Sequence, residues 1–548
     1  MISVMASLFL VALDQTIIAT ALGKIVEEFN AFSSLSWIVT AYLITTTLTV
    51  PIAGKLSDLF GRRNILLIGV AIFVLASLLS GMSSDVTQLI IWRAVQGIGG
   101  GIITANAFTI VGDLFAARER GKWQGLIGAV FGLSSVVGPL LGGWLTDGQS
   151  FFGLTTDWRW TFFINVPIGI VAFILIAINS PALRHAVKAK IDYLGAAFLS
   201  VSLATLILAV DNTETIFADL LSTTGLTLAG LRLIMFGIVA VAMTGFIYAE
   251  HKAQEPILPL RFFKNRNYVL VLTIALLFGA AFMGSILYLT QFNQQVFGAT
   301  PTESGLMLLP MVAGIMASSV TSGQIISRTG KYKIFMQIGF VVATGAMIAL
   351  TFLTPESSYL YEAIVMVILG LGMGVAMPIL NLAVQNEFEQ KDLGAATSSS
   401  QLFRSLGSTI GTAVFGAMLT AGIATQVPKM QDTAYIQNLK QSSQVKDMDL
   451  NSADTLLRLN MPDVKGQISD AANAQFGKLP IPVQQKAKAE FTTNQEKFGS
   501  IVTHAFSDSL HKIFIVASSM IGLAAVIAFT VKEKTLRAAK KEETPGEE

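Results

Sequence analysis

GKLSDLFGRRN (54–64) and GQIISRTGKYK (323–333) share one pattern: two glycines seven residues apart, with bases after the second. Each closes one long apolar run and opens the next, so each reads as a tight turn between two membrane-spanning helices. Working outward, apolar runs long enough to cross about 30 Å of hydrocarbon lie at 2–22, 36–56, 65–83, 87–111, 123–145, 160–180, 191–210, 230–250, 268–292, 304–326, 334–353, 361–384, 396–423 and 511–531. The two turns follow spans 2 and 10, an offset of eight helices. Two related six-helix halves would then comprise spans 1–6 and 9–14, with spans 7 and 8 inserted between them, the internal repeat typical of secondary transporters.

Composition agrees. Of 548 residues, 53% are hydrophobic and 13% charged, against roughly 25% charged in soluble domains, which excludes an ordinary cytosolic enzyme. The net charge of +2 gives no electrostatic case for nucleic acid. The absence of cysteine removes disulfides, thiolate metal sites and cysteine nucleophiles. His185, His251, His504 and His511 lie in or beside polar segments, so no embedded metal centre is expected. The opening run is full length and lacks a small-residue cleavage site, so it reads as span 1 and not as a signal peptide. One set of short connections plus the C-terminus carries 22 Lys and Arg, the other only Lys24, Arg159 and Arg232. Positive residues stay inside, which places both termini in the cytoplasm. The expected division is an N-terminal bundle (1–180), two inserted helices with a cytoplasmic linker (181–267), and a C-terminal bundle (268–531). The last contains a long extracellular loop (424–510) and is followed by a tail (532–548).

Charges within hydrocarbon are expensive, so each is a functional candidate. Asp14 lies a dozen residues into span 1, Arg93 descends from outside in span 4, and Arg404 climbs from inside in span 13. Their depths allow an Asp–Arg pairing. Asp14 then reads either as a proton carrier whose arginine partner changes between states, or as a permanent structural ion pair. In GKLSDLFGRR, Asp58 is placed to face a helix N-terminus or a neighbouring arginine and so to latch the inner face. Arg62 and Arg63 also serve as positive-inside anchors. In span 5, Gly128, Gly132, Gly138, Pro139, Gly142 and Gly143 fit a hinge and seal between the halves, or plain close helix packing.

Together these motifs carry a resemblance. GKLSDLFGRR resembles the signature between the second and third helices of the major facilitator superfamily. LDQTIIATALGKI, WRAVQGIGGG, GPLLGG and WRWTFFINVPIG (158–169) resemble its fourteen-helix drug:proton antiporter branch. The resemblance implies an all-α polytopic membrane fold of two six-helix bundles plus two central helices, alternating access, and proton-coupled multidrug export from the plasma membrane. It implies proton coupling for Asp14 and Arg93, a cytoplasmic gate for Gly54, Asp58, Gly61, Arg62 and Arg63, and the antiporter motif for Gly138, Pro139, Gly142 and Gly143. Unlike well-known exporters of cationic dyes, this sequence has no interior Asp or Glu in spans 9, 10, 11 and 13. Asp14 is left as the main embedded acid beside two arginines. Neutral, zwitterionic or anionic amphiphiles fit such a cavity better than dications, with export of lipids or another endogenous amphiphile as the alternative. Gln15, Tyr42, Asn106, Tyr288, Gln291 and Asn381 are candidates for the pocket lining or for helix–helix hydrogen bonds.

In the 424–510 segment, Val483, Ala487, Phe491, Phe498, Val502 and Phe506 recur at helical spacing, which predicts an amphipathic helix running into span 14. A cap, a docking site for an extracellular partner, a lipid-guiding ledge and a tolerated insertion all fit. The terminal KEKTLRAAKKEETPGEE reads as a basic anchor followed by a disordered tail. A channel would show rings of like charge. An enzyme would show a motif such as HExxH or GxSxG, and an ATP-driven pump GxxxxGK[ST]; the sequence has none. A monomer with no cofactor beyond the coupling proton is expected, with a lipophilic small molecule or lipid as its partner.

Overall fold

The computed structural model describes residues 1–29, 35–146, 148, 150–151, 154–179, 191–210, 213–441, 450, 453–477 and 480–536. The first half contains α1 (Ile2–Phe29), α2 (Leu35–Phe60), α3 (Arg62–Gly81), α4 (Val86–Leu114), α5 (Ala117–Thr146), α6 (Trp160–Phe163) and α7 (Asn165–Asn179). Next come α8 (Tyr193–Val210), the short α9 (Thr213–Ile216) and α10 (Ala218–Thr224), and α11 (Leu228–Lys252). The second half contains α12 (Arg266–Gln295), α13 (Pro301–Met307), α14 (Leu309–Thr329), α15 (Lys333–Leu350), α16 (Tyr359–Gln385) and α17 (Leu393–Ala424). It continues with α18 (Val427–Gln431), α19 (Ala434–Gln441), α20 (Ala453–Leu459), α21 (Pro462–Phe476) and α22 (Ile481–Thr530). A hairpin of two-residue strands, Ser150–Phe151 and Leu154–Thr155, precedes α6. Among the described residues thirteen helical segments are long and apolar enough to span a membrane, and α1 adds the shorter apolar stretch Ile2–Ile18, which makes the fourteen expected.

The repeat governs the packing. In the first half α2 and α3 pack on α4, α1 on α5 and α3 on α7; eight spans later α14 and α15 pack on α16, α12 on α17 and α15 on α22. Equivalent glycines permit the close crossings. A Cβ on Gly99 would lie 2.6 Å from the Phe73 amide nitrogen, and one on Gly372 would lie 2.5 Å from that of Ala343. The second glycine of each signature has positive φ, 94° at Gly61 and 72° at Gly330, though with ψ of 137° and 4° the two turns differ in shape. Backbone of this kind costs an L-residue about 1–3 kcal/mol. Gly61→Ala should therefore lower the thermal midpoint in detergent; an unchanged midpoint would show that the turn does not need its positive φ. The inserted helices α8 and α11 pair with each other, and α8 leans on α2 and α17.

Three features depart from simple spans. Span 10 is prefaced by α13, and the helix restarts because Pro310, in the first turn of α14, lacks an N–H and crowds the preceding turn. Span 14 is the inner part of a single 50-residue helix, α22, roughly 75 Å long at 1.5 Å per residue, which includes the amphipathic stretch. Helices α18–α21 wrap its outer part. The Tyr435 ring lies 5.7 Å from Phe491 and 5.2 Å from Phe498, and Phe476 lies 5.9 Å from Phe491. Met430, Ile436, Leu456 and Leu459 are buried beneath them. The described parts of 424–510 thus form a helical layer seated on the second half.

The third departure is the tail. Instead of a free basic anchor, its first residues dock along the inner face. The Asn267 amide donates to the Lys532 carbonyl at 3.1 Å, the Asn386 amide to that of Lys534 at 2.9 Å, and the Leu536 N–H to the Gly330 carbonyl at 3.0 Å. Lys534 pairs with Glu387 at 2.6 Å. The remainder of the expected disordered tail, 537–548, lies outside the described residues. Burial works to raise the pKa of Glu387, but Lys534 and the Asn265 and Asn267 amides outweigh it and hold the carboxyl below its ordinary range. A depressed carboxylate contributes stability above its unfolded pKa and loses it as pH falls through the folded one. Hydrogen-exchange protection of 531–536 should therefore persist through mild acid and fail only below the usual carboxylate range; loss near neutrality would contradict this.

Candidate functional site

Asp14 and Arg93 meet inside the first half. They pair at 2.7 Å, each 1% exposed. The other carboxylate oxygen of Asp14 accepts from the Gln96 and Asn165 side-chain amides, both at 2.8 Å. Arg93 also donates to Gln96 at 2.8 Å and to the Ile38 carbonyl at 3.4 Å, and its guanidinium lies 4.3 Å from the Tyr42 ring centre. Ser77 closes the network by accepting from Gln96 and Asn165 at 3.1 and 2.9 Å. Five helices, α1, α3, α4, α7 and α2 through Tyr42, thus converge on one carboxylate. Charge-assisted bonds of this kind are the strong ones, and here both partners are buried.

Arg404 stands apart in the second half. It donates to Gln401 at 3.1 and 2.7 Å, and Gln401 donates to Asn381 at 2.8 Å. Among the described residues no carboxylate pairs with it. It lines a small cavity between the halves together with Phe108, Met377 and Asn381. The expected Asp–Arg constellation is therefore Asp14–Arg93 alone.

The 54–63 turn closes the inner face. Arg62, 2% exposed, binds Asp58, the Ser57 hydroxyl and, at 2.7 Å, Asp113 at the end of α4. Arg63 reaches the Ala177 carbonyl. Asp58 presses on the first turn of α17, where a Cβ on Gly394 would run into its carboxylate, and one on Gly54 would meet Ser398. Beside it Gln385 donates to the Phe108 carbonyl at 3.0 Å, and Gln390 to that of Asp113 at 3.4 Å. Lys55 pairs with Glu255 of the linker after α11 at 2.7 Å, and Arg261 of that linker grips Asp392 at 2.7 and 2.9 Å. On the opposite flank the repeat supplies the counterpart: a Cβ on Gly323 would collide with Gly121. In each signature the first glycine joins the halves and the second makes the turn. The structure is closed on its cytoplasmic side.

A family profile described as Major Facilitator Superfamily matches residues 4–412. The chain belongs to the Major Facilitator Superfamily. It is 36% identical to the multidrug transporter protein MdtP of Bacillus subtilis over 99% of this chain and 94% of that one. It is 37% identical to the Bacillus subtilis multidrug resistance protein 3, over 75% and 77% respectively. Among solved structures it shares the fold of the proton:xylose symporter XylE, with TM-score 0.60, 15% identity and coverage of 98% and 96%. It shares it also with the human organic anion transporter MFSD10, with TM-score 0.57, 16% identity and coverage of 76% and 92%.

Within this superfamily fold the span-5 motif does two jobs. Gly138 and Gly142 press on Thr16, Ile17 and Thr20 of α1, and Thr16 donates to the Ser134 carbonyl at 2.9 Å. This fixes the helix that carries Asp14. Pro139 instead meets Gly305 of α13, across the halves, as Gly128 meets Ser319 and Gly132 meets Met316; Gly143 is buried. Among the lining candidates, Gln15 is exposed and Gln291 half-buried. Asn106 donates to the Ile102 carbonyl at 2.8 Å and Tyr288 to that of Thr412 at 3.3 Å. Tyr42 packs under Arg93 and Asn381 belongs to the Arg404 chain. Sequence reasoning missed Gln96, Asn165 and Ser77, whose signal is only an uncharged polar residue in an apolar run. It also missed Glu362, a fully buried acid.

Proposed function

We propose that this transporter is a proton-coupled antiporter that exports lipophilic or amphiphilic compounds across the plasma membrane by alternating access, as a monomer. The observation that carries the reading is the buried Asp14–Arg93 pair. A carboxylate that accepts from Arg93, Gln96 and Asn165 in the inner-closed state is held as the anion there and takes a proton when Arg93 moves away, and that exchange can tie protonation to the movement of α1 and α4. The names of the relatives, multidrug transporter and multidrug resistance protein, support drugs as cargo. The seal of Asp58 and Gly54 against α17 supports a gate that opens toward the cytoplasm in the other state. The test is accumulation of a cationic dye in everted vesicles under an imposed pH gradient. It should follow the gradient and collapse with a protonophore; accumulation indifferent to the gradient would overturn proton coupling.

A second reading rests on Arg404. A guanidinium without a carboxylate partner, facing a cavity between the halves, favours an anionic or zwitterionic amphiphile, such as a lipid. Fluorescent lipid offered in place of the dye decides between the two, and a partner at the helical layer over 424–510 would belong to the lipid case.

A further inference from the structure

Glu362 sits in the first turn of α16 and is fully buried, and neither of its carboxylate oxygens has a hydrogen-bond partner. Among the described residues no basic group pairs with it. The polar side chain beside it is Asn293 of α12, itself fully buried with both amide atoms unpartnered. On its own helix Tyr359 lies near it, and the adjacent Tyr361 donates its hydroxyl to the Ala349 carbonyl at 2.7 Å. The elements packed on α16 offer no counter-charge. Arg266, Arg328, Lys333, Arg118, Arg120 and Lys122 lie at the cytoplasmic ends of α12, α14, α15 and α5, and Arg404 on α17 is held by Gln401. Glu303 of α13 is turned into the Thr300 cap, Glu356 pairs with His504 at 3.3 Å, and His511 bonds the Leu353 carbonyl at 2.6 Å.

Magnitudes decide the state of such a group. The α16 N-terminus favours an anion by only a few-fold. Burying an unpaired carboxylate disfavours the charged form by orders of magnitude. We propose that Glu362 is a proton-binding site of the second half, occupied by a proton in this inner-closed state, with Asn293 as its polar neighbour. The neutral acid supplies the O–H donor that the Asn293 carbonyl oxygen lacks, and its own carbonyl can accept from the Asn293 amide. Because α16 also packs on α5 of the first half, relative movement of the halves changes the surroundings of Glu362 and gives the proton a reason to leave. That last step rests on the proton-coupled reading above; the occupied site does not.

The experiment is infrared difference spectroscopy of the full-length protein in proteoliposomes, titrated from neutral to alkaline pH, for wild type, Glu362→Gln, Glu362→Asp and Asp14→Asn. The site predicts a protonated-carboxyl band at neutral pH that is lost in Glu362→Gln, kept at a shifted position in Glu362→Asp and unchanged in Asp14→Asn. A Glu362→Gln spectrum identical to wild type overturns it. Should Glu362→Gln not fold, an Asp variant with no protonated-carboxyl band overturns it equally. If the band is lost in Glu362→Gln while gradient-driven transport survives Asp14→Asn, the Asp14 reading fails and this one stands.

Discussion

Gly394→Val is expected to abolish transport and to leave the protein mostly open on its cytoplasmic side. Even a Cβ at this position runs into the Asp58 carboxylate, whose Cγ would lie at 2.6 Å. Asp58 cannot swing away, since Arg62 holds it and is itself anchored by Asp113. Overpacking costs about 1–3 kcal/mol. Because the clash exists only when the halves meet, that cost falls on one state and shifts the equilibrium by roughly 5- to 150-fold. The sequence contains no cysteine, so Ser398→Cys, at the sealed contact with Gly54, reports opening without background. Labelling from the cytoplasmic side should rise sharply when Gly394→Val is added; labelling as slow as in the Ser398→Cys parent would show that the contact does not gate.

Arg93→Met should be the most destabilising single substitution in the first half. It leaves Asp14, 1% exposed, without its cation, a situation that costs about 3–5 kcal/mol when one partner of a buried pair is removed. Asp14→Asn alone should be milder, because Gln96 and Asn165 can still bond an amide. The double variant should then regain a large part of the stability lost in Arg93→Met. Thermal unfolding in detergent across the four proteins measures this coupling; simple additivity would mean that the pair does not act as one unit.

Much of this architecture was legible because the membrane restricts the options. A span must be long and apolar, so the paired turns at 54–64 and 323–333 located the repeat, and isolated charges such as Asp14 and Arg93 stood out. What surrounds them did not. Gln96, Asn165 and Ser77 resemble the many uncharged polar residues of transmembrane helices, and only the crossing of α3, α4 and α7 assigns them to Asp14. Glu362 is the second residue of its apolar run, a position that usually reaches water. It is buried here because the protein continues outward past the end of the span, where Asn460 bonds the Gln295 carbonyl at 3.2 Å. The docking of 532–536 had no apolar pattern to announce it, as its bonds run mainly through backbone carbonyls and asparagines.

The proton-coupling claim rests on Asp14, and its most direct test is gradient-driven transport by wild type and Asp14→Asn in everted vesicles, with one cationic dye and one fluorescent lipid. Loss of the pH-driven movement in a folded Asp14→Asn protein, for whichever cargo the wild type moves, is the predicted result. Undiminished transport by Asp14→Asn would contradict the account and reduce the Asp14–Arg93 pair to a structural brace.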